Sequence, residues 1–279
     1  MIEKFHDTLV GIDSDGCVFD SMRAKTFGHL LPQAIAVWGL EAIADIVMEE
    51  GEKLNLRSRW RGRNRFSNLL MLFDRLAARD DVRAKVALPC ADSLRAYCGS
   101  GAPLGNPSLA EAIAKTGDPE LRRVLDWSMA VNAGIAAMPP VLPFREALAT
   151  LPVLSAASDT LVVSQTPAEA LEREWRAHGI RDYVAAIAGQ EFGSKTNQLL
   201  TANGGRYASG AMLMIGDAPG DMEAADEAGA LFYPILPGRE EESWRDLRER
   251  DFPLFLAGAL DTAARRAEFL AMLGVESDR

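Results

Sequence analysis

The sequence predicts an α/β protein, with a Rossmann-like core that contains a parallel sheet and an inserted α-helical domain. Short apolar segments alternate with helical segments after residue 140, which is typical of βαβ units. One more strand-like segment, residues 8–12 (TLVGI), lies near the start of the chain. A long stretch of purely helical periodicity separates it from the others. We therefore expect a core at 1–21 and 139–279 and a helical domain at 22–138.

Each core strand is predicted from a short apolar segment with a polar residue or glycine beside it. The expected strands are 8–12, 160–163, 184–188, 212–215 and 231–236. The segments AEALEREWRAHG, KTNQLLTANGG and DMEAADEAG predict helices between them, with glycine at the ends. In the insertion, helical periodicity is clearest in PQAIAVWGLEAIADIVMEEGEKL, FSNLLMLFDRLAA and ELRRVLDWSMAVNAGIAAM. Pro139, Pro140 and Pro143 mark its end as a hinge or linker.

The composition is that of a globular protein. The chain has 279 residues, of which 48% are hydrophobic, and its net charge is −10. Such a charge argues against binding nucleic acid or an anionic membrane through the whole surface. The three cysteines, Cys17, Cys90 and Cys98, do not suggest a disulfide framework, and the first residues lack the apolar core of a signal peptide. We expect a cytoplasmic monomer or homodimer that does not associate with membranes.

Four aspartates follow two of the predicted strands. Asp13 and Asp15 lie in IDSDGCVFD after the first strand, and Asp217 and Asp221 lie in IGDAPGDM after the fourth. Asp-Gly is also a common turn, so the first pair has a structural interpretation as well. Ligand sites in open α/β sheets lie at the carboxyl ends of the strands, so the four carboxylates should meet there. Carboxylates this close repel one another, and hard oxygen ligands suit Mg²⁺. The sequence therefore predicts a magnesium site formed by these four residues.

Two further residues complete an ordered set of motifs. Ser164 follows the second strand in LVVSQTP, and Lys195 begins a helix in EFGSKTNQ. The order DxDG, strand–Ser, Lys, strand–GDxxxD resembles that of the haloacid dehalogenase-like hydrolase superfamily. The resemblance covers residues 6–24 and 140–237, and the helical insertion occupies the place of that family's cap domain. Thr196 departs from the family, since many relatives carry proline after the lysine.

The resemblance implies a role for each of these residues. Asp13 would be the nucleophile and Asp15 the general acid/base. Ser164 would bind a phosphoryl oxygen, and Lys195, oriented by Asp221, would neutralise negative charge. Mg²⁺ would be held by Asp13, the backbone carbonyl of Asp15, and Asp217. The implied activity is a Mg²⁺-dependent phosphatase that hydrolyses a small phosphorylated metabolite through an aspartyl-phosphate intermediate.

Two other enzyme classes remain open. A sugar-phosphate mutase of the same superfamily would retain all of these residues. A P-loop NTPase is suggested by residues 189–196 (GQEFGSKT), which match GxxxxGK[ST] except at Ser194. That reading leaves Asp13 and Asp15 without a role, and an ATP-binding test would separate it from the phosphatase. Dehalogenases of the superfamily lack the second aspartate, so Asp15 argues against that activity.

The insertion contains a basic segment. Residues 53–73 include no acid, whereas Lys53, Arg57, Arg59, Arg61, Arg63 and Arg65 are all basic. One interpretation is a solvated face that pairs with acids elsewhere. A second is a substrate loop in which Arg61, Asn64 and Arg65, around Gly62, bind a second anionic group of the substrate. A nucleic-acid surface is a third, because Trp60 and Phe66 are interleaved with the basic residues.

Overall fold

The computed structural model describes residues 2–275 and contains a five-stranded parallel sheet in the order β3-β2-β1-β4-β5. The strands are β1 (Leu9–Ile12), β2 (Asp159–Val163), β3 (Ala186–Ala188), β4 (Met212–Gly216) and β5 (Leu231–Pro234). Strand β1 pairs with β2 on one side and with β4 on the other. Strands β2 and β3 therefore lie on one side of β1, and strands β4 and β5 lie on the other. This architecture confirms the predicted α/β, Rossmann-like fold class.

Helices occupy most of the remaining chain. They are α1 (Ser21–Lys25), α2 (Leu31–Trp38), α3 (Ala44–Leu56), α4 (Arg65–Ala77), α5 (Asp80–Arg83), α6 (Asp92–Cys98), α7 (Asn106–Thr116), α8 (Pro119–Ala136), α9 (Arg145–Ala157), α10 (Ala168–Ala177), α11 (Lys195–Asn203), α12 (Pro219–Ala228), α13 (Glu240–Asp246), α14 (Phe252–Leu256) and α15 (Ala263–Met272). Short π-helical segments, Thr26–Leu30 and Leu247–Asp251, join α1 to α2 and α13 to α14.

The chain forms two compact units. One unit comprises the described residues of Met1–Met22 and Pro140–Arg279 and contains the sheet. The other, Arg23–Pro139, contains helices and, within the described part of the chain, no strand. We call them the sheet unit and the helical unit.

Both faces of the sheet are buried under helices. Alternate strand residues, such as Val10 and Ile12, pack with Trp175 of α10 and Trp244 of α13. The intervening strand residues face a second apolar core, whose members from helices include Leu199 of α11, Ala225 of α12 and Phe269 of α15. Side chains alternate across a strand, so a sheet covered on both faces needs apolar residues at every position. This requirement explains the continuous apolar segments from which the strands were predicted.

The helical unit has a separate core that is rich in aromatic residues. The ring centroids of Trp38 and Phe73 lie 5.1 Å apart in an edge-to-face arrangement, and Trp127 packs near Phe66. The first helical segment of the insertion does not run through as one helix, because Gly39 takes a left-handed conformation with φ 65° and ends α2. No helix among residues 2–275 is both long and apolar enough to cross a membrane.

Candidate active site

Asp13 and Asp15 lie on a tight loop at the carboxyl end of β1. The Asp13 N–H continues the sheet pairing by donating to the Ile215 carbonyl at 2.9 Å. Gly16 has φ 82°, a conformation that residues with a side chain rarely adopt, and its N–H donates to the Phe19 carbonyl at 2.8 Å. The Asp-Gly pair thus forms a turn, as its residue types suggest. The turn holds the two aspartates beside the sheet edge.

Asp217 and Asp221 lie at the carboxyl end of the neighbouring strand β4. The Oδ2 atom of Asp221 accepts hydrogen bonds from the backbone N–H groups of Asp217 and Ala218, at 3.2 and 3.0 Å. A side chain on Gly216 would lie 2.4 Å from the Asp221 carboxylate, so only glycine allows this close approach. Asp221 therefore folds back under the end of β4 and holds the loop that carries Asp217.

Lys195 connects the two aspartate loops. It is the first residue of α11, whose N-cap is the Ser194 side chain. Its ammonium nitrogen lies 2.9 Å from Oδ1 of Asp13 and 2.6 Å from Oδ1 of Asp221. Ser164, at the end of β2, is buried, and its Oγ accepts a hydrogen bond from the Thr166 N–H at 3.1 Å. The structure thus places Ser164 and Lys195, like the aspartates, at the carboxyl edge of the sheet.

The electrostatics of the site follow from burial and crowding. Burial raises the pKa of Asp13 above its usual range, the Asp221 and Asp217 carboxylates raise it further, and Lys195 opposes them. Burial alone would lower the pKa of Lys195, but the Asp13 and Asp221 carboxylates raise it above its usual value. Lys195 is therefore a permanent cation at neutral pH.

The donor set fits a hard divalent cation. One carboxylate oxygen from each of Asp13, Asp217 and Asp221 lies within 4.8 Å of the other two, and all three residues are buried. Oxygen donors brought this close are the ligands that Mg²⁺ takes in proteins. The Asp15 carboxylate, which the sequence analysis placed among the ligands, is not part of this cluster. Asp221 is in the cluster but also accepts hydrogen bonds from Lys195 and two backbone N–H groups.

The Asp15 carboxylate is held by two hydroxyl groups. Oδ1 accepts a short hydrogen bond from Ser21 Oγ, and Oδ2 accepts one of 2.8 Å from Thr166 Oγ1. Neither hydroxyl was expected from the sequence. Thr166 could have been found from its position two residues after Ser164 on the same loop. Ser21 could have been found from its position directly after the segment IDSDGCVFD, which contains both aspartates.

The three predicted substrate residues of the helical unit contact different segments. Arg61 is buried and donates to the Leu56 carbonyl at 3.1 Å. Asn64 is the N-cap of α4, accepting from the Phe66 N–H at 2.9 Å. Arg65 donates to Asn132 Oδ1 at 2.6 Å. Gly62, with φ 71°, forms the expected turn between them.

Lys53, Arg57 and Arg65 of the basic segment have two kinds of partner. Lys53 pairs with Glu49 at 2.6 Å, and Arg57 pairs with Glu52 at 2.9 Å, as the solvated-face interpretation expects. The guanidinium group of Arg65 instead donates to neutral partners, Asn132 and Ser128. Of Lys53, Arg57 and Arg65, Arg65 is therefore the cation best suited to meet an anionic ligand.

Comparison with solved structures identifies the fold. No protein-family model matches the chain, and no curated protein matches its sequence. A solved structure from Bacteroides fragilis, provisionally named a haloacid dehalogenase-like hydrolase, superposes with a TM-score of 0.52 over 85% of this chain and 92% of that chain, at 17% identity. The chain has the haloacid dehalogenase-like fold.

Other structures with names from this superfamily are also similar. One, provisionally named a β-phosphoglucomutase, from Bacteroides vulgatus, has a TM-score of 0.48 at 15% identity and covers 93% of this chain and 92% of its own. Another, provisionally named a phosphoglycolate phosphatase, from Lactobacillus delbrueckii, has a TM-score of 0.47 at 16% identity, covering 98% of this chain and 100% of its own. At identities this low the comparisons show the fold, and the reaction has to be argued from the residues of this chain.

Proposed function

We propose that the protein is a Mg²⁺-dependent phosphatase that hydrolyses a small-molecule phosphate monoester through an aspartyl-phosphate intermediate. One observation carries the proposal. Asp13, Asp217 and Asp221 bring carboxylate oxygens within 4.8 Å of one another, with the Lys195 ammonium 2.9 Å from Asp13. Phosphoryl transfer is catalysed mainly by positioning a nucleophile among groups that neutralise charge. This cluster contains both kinds of group.

Asp13 is the proposed nucleophile, and its two oxygens have different surroundings. Oδ1 accepts hydrogen bonds from the Ser14 N–H at 2.8 Å and from Lys195. That arrangement fixes the plane of the carboxylate and leaves Oδ2 to attack phosphorus. The bond from Oδ2 to phosphorus forms as the ester bond to the leaving oxygen breaks, giving an aspartyl phosphate.

Asp15 is the proposed proton shuttle. In the first step its carboxylic acid gives a proton to the leaving oxygen, and in the second its carboxylate takes one from the water that attacks the aspartyl phosphate. The hydroxyl groups of Ser21 and Thr166 hold its two oxygens. They therefore fix the direction in which the proton is given and taken.

Ser164, Lys195 and a metal ion supply the remaining stabilisation. The Thr166 N–H donates to Ser164 Oγ, which uses only a lone pair of that oxygen. The Ser164 hydroxyl can therefore donate its own proton to a phosphoryl oxygen. Lys195 neutralises negative charge on Asp13 and on the phosphoryl group. When bound by Asp13 and Asp217, with Asp221 beside them, Mg²⁺ would supply the positive charge that lets an anionic nucleophile approach an anionic ester.

The helical unit is the proposed substrate-selecting cap, and Arg65 is its candidate contact with a second anionic group of the substrate. The net charge of −10 favours a small phosphorylated metabolite as substrate over nucleic acid or a membrane surface. We further propose a cytoplasmic location for the protein, as a monomer or homodimer.

The test is phosphate release from an aryl phosphate at neutral pH. Activity should disappear in EDTA and return when Mg²⁺ is added in excess. Turnover that persists after chelation would reject the metal assignment. A screen of phosphate monoesters that finds no substrate, with Mg²⁺ present, would reject the phosphatase itself. Binding of ATP without turnover of any monoester would favour the NTPase alternative.

A further inference from the structure

Gln198 makes an unusual set of hydrogen bonds around Ser164. It lies on α11, and its side chain is only 2% exposed. Its Oε1 accepts from the Ser164 N–H at 3.0 Å, and its Nε2 donates to the Ser164 carbonyl at 2.9 Å. Nε2 also donates to the carbonyls of Gly189 and Gly193, at 2.9 and 3.1 Å. The carboxamide therefore bonds to both sides of the Ser164 backbone and to the loop that precedes Lys195.

These bonds require the carboxamide of glutamine. One end of the group accepts from an N–H, and the two N–H bonds at the other end are shared among three carbonyls. A carboxamide offers an acceptor and two donors without a net charge. A buried polar group that loses such partners destabilises the fold, because it is then left without the hydrogen bonds that water would have given it. The bonds also fix the orientation of the amide, because the reverse orientation would point oxygen at three carbonyl oxygens.

The loop that follows Ser164 and the loop that precedes Lys195 lie in close contact. A Cβ atom on Gly189 would lie 2.4 Å from the Ala168 nitrogen and 2.7 Å from the Thr166 carbonyl oxygen. In addition, the Gln190 N–H donates to the Thr166 carbonyl at 3.1 Å. Two side chains also cross this contact: Glu191 Oε2 accepts from the Ala168 N–H at 3.0 Å, and Gln165 Nε2 donates to the Gly193 carbonyl at 2.9 Å. The Gln198 amide, entering from α11, is the group among these that bonds to the Ser164 backbone on both sides.

Lys195 lies three residues before Gln198 on the same helix, α11. Residues three apart lie on neighbouring positions of a helix surface, so Lys195 and Gln198 are directed toward the same region. Lys195 contacts Asp13 and Asp221, while Gln198 holds Ser164. The first turn of α11 thus connects the nucleophile to the residue expected to bind a phosphoryl oxygen.

We propose that Gln198 is a positioning residue that fixes the Ser164 hydroxyl for phosphoryl binding, an inference that rests on the proposed function. Gln198 acts through Ser164 and does not touch the substrate. Loss of its amide lets the Ser164 loop shift, and a misplacement of about 1 Å in a catalytic group can lower turnover by about 10²-fold.

A double-mutant cycle tests this assignment. In the full-length protein, Gln198→Met should lower kcat/KM for an aryl phosphate by roughly 10–100-fold and weaken inhibition by inorganic phosphate. Ser164→Ala should do the same, and the double variant should be no slower than the slower single variant, because both changes remove one interaction. Multiplicative losses in the double variant would overturn the proposal. Leu199→Ala is the matched control: it removes a buried neighbour on α11, and should lower thermal stability without changing kcat/KM at a temperature where it is folded.

Hydrogen exchange gives a second readout that does not depend on turnover. Gln198→Met should speed amide exchange in residues 164–168 and 189–193 more than in the rest of the sheet unit. Gln198→Glu, which keeps an acceptor for the Ser164 N–H, serves if the methionine variant does not fold. Unchanged exchange in both loops would overturn the proposal even in an active enzyme. If the wild-type protein turns over no phosphate ester, the proposed function fails, while faster exchange in the two loops still identifies Gln198 as the group that holds Ser164.

Discussion

The indole Nε1 of Trp244 donates a hydrogen bond of 2.9 Å to the backbone carbonyl of Cys17, two residues beyond Asp15. Trp244 is fully buried on α13, in the C-terminal part of the chain. A second indole, that of Trp175, donates to Ser14 Oγ at 3.0 Å. Two tryptophans therefore hold the loop that carries both proposed catalytic aspartates. This contact gives the segment after residue 239 a role that its sequence does not reveal.

Trp244→Phe should destabilise the protein and slow turnover. The change leaves the buried Cys17 carbonyl without its indole donor, which costs about 1–3 kcal/mol. It also loosens the loop around Asp13 and Asp15. Trp127→Phe is the matched control, because it removes an indole N–H that donates to the Leu30 carbonyl inside the helical unit. Urea unfolding should show a loss in both variants, and kcat should fall only in Trp244→Phe. Equal kcat in the two variants would show that the Trp244 contact is merely structural.

Asp13→Asn should abolish turnover while the protein stays folded. The amide has almost the shape of the carboxylate but cannot attack phosphorus as a nucleophile. It also removes the buried negative charge of Asp13, which the Asp221 and Asp217 carboxylates repel, so we expect the variant to stay folded. Circular dichroism and steady-state kinetics together check this outcome. Wild-type activity in the folded variant would reject the covalent mechanism.

Asp15→Asn should slow turnover by roughly 10²–10⁴-fold, which is the usual contribution of general acid–base catalysis. The loss should be smaller for an ester with a good leaving group, because such a group needs less protonation. Comparing an aryl phosphate with an alkyl phosphate measures this difference. Thr166→Val, which removes a hydroxyl bonded to Asp15, should show the same trend with a smaller loss. A loss that is equal for both esters would argue against proton transfer by Asp15 to the leaving group.

Asp159 should make stability depend on pH at the acidic end. It accepts hydrogen bonds from the backbone N–H groups of Phe5 and His6 and from the Tyr207 hydroxyl. Burial alone would raise the pKa of Asp159, but these hydrogen bonds hold it below its usual value. An acid whose pKa is lower in the folded state stabilises the protein fully above its unfolded pKa, which is about 4 for aspartate. That stability is lost as the pH falls through the folded pKa.

Asp159→Asn should therefore lower the free energy of unfolding at pH 7 by about 2 kcal/mol and flatten its decline below about pH 4. Urea unfolding at several pH values measures both effects. Asp226→Asn is the control, since Asp226 forms an exposed ion pair with Arg266 and should matter by less than about 1 kcal/mol. An unchanged acid profile in Asp159→Asn would mean that other carboxylates cause the acid instability.

The sequence was sufficient to predict the sheet and its aspartates because these depend on local patterns. Strands buried on both faces are continuous apolar segments, and Asp13 and Asp217 follow such segments directly, with Asp15 and Asp221 a few residues beyond. Gly16 and Gly216 then allow the turn and the close approach that bring the carboxylates together. No distant residue needs to be known in order to make these predictions.

The groups that hold the site could not be predicted in this way. Trp244 and Cys17 are 227 residues apart, and neither has a residue type that indicates the other. Gln198 resembles an ordinary polar residue of a surface helix until the fold buries it beside Ser164. The use of Asn64 as a helix cap is visible in its residue type, but its further hydrogen bond to the Leu104 carbonyl is not. Such contacts arise from chain packing, which leaves no periodic signal in the sequence.

Arg65→Ala should change substrate selection more than catalysis. Its guanidinium group donates to the neutral side chains of Asn132 and Ser128, and burial lowers its pKa, so an anionic ligand would offer it a better partner. Binding energy at the non-reacting end of a substrate should matter for that substrate and not for a small generic ester. We therefore expect kcat/KM for the best substrate of a metabolite screen to fall tenfold or more, or about 1.4 kcal/mol, with little change for an aryl phosphate.

Arg57→Ala, which removes a cation already paired with Glu52, is the control and should affect neither substrate. If Arg65→Ala slows both substrates equally, Arg65 supports the fold of the helical unit; if it slows neither, the residue is part of a solvated face and does not select the substrate.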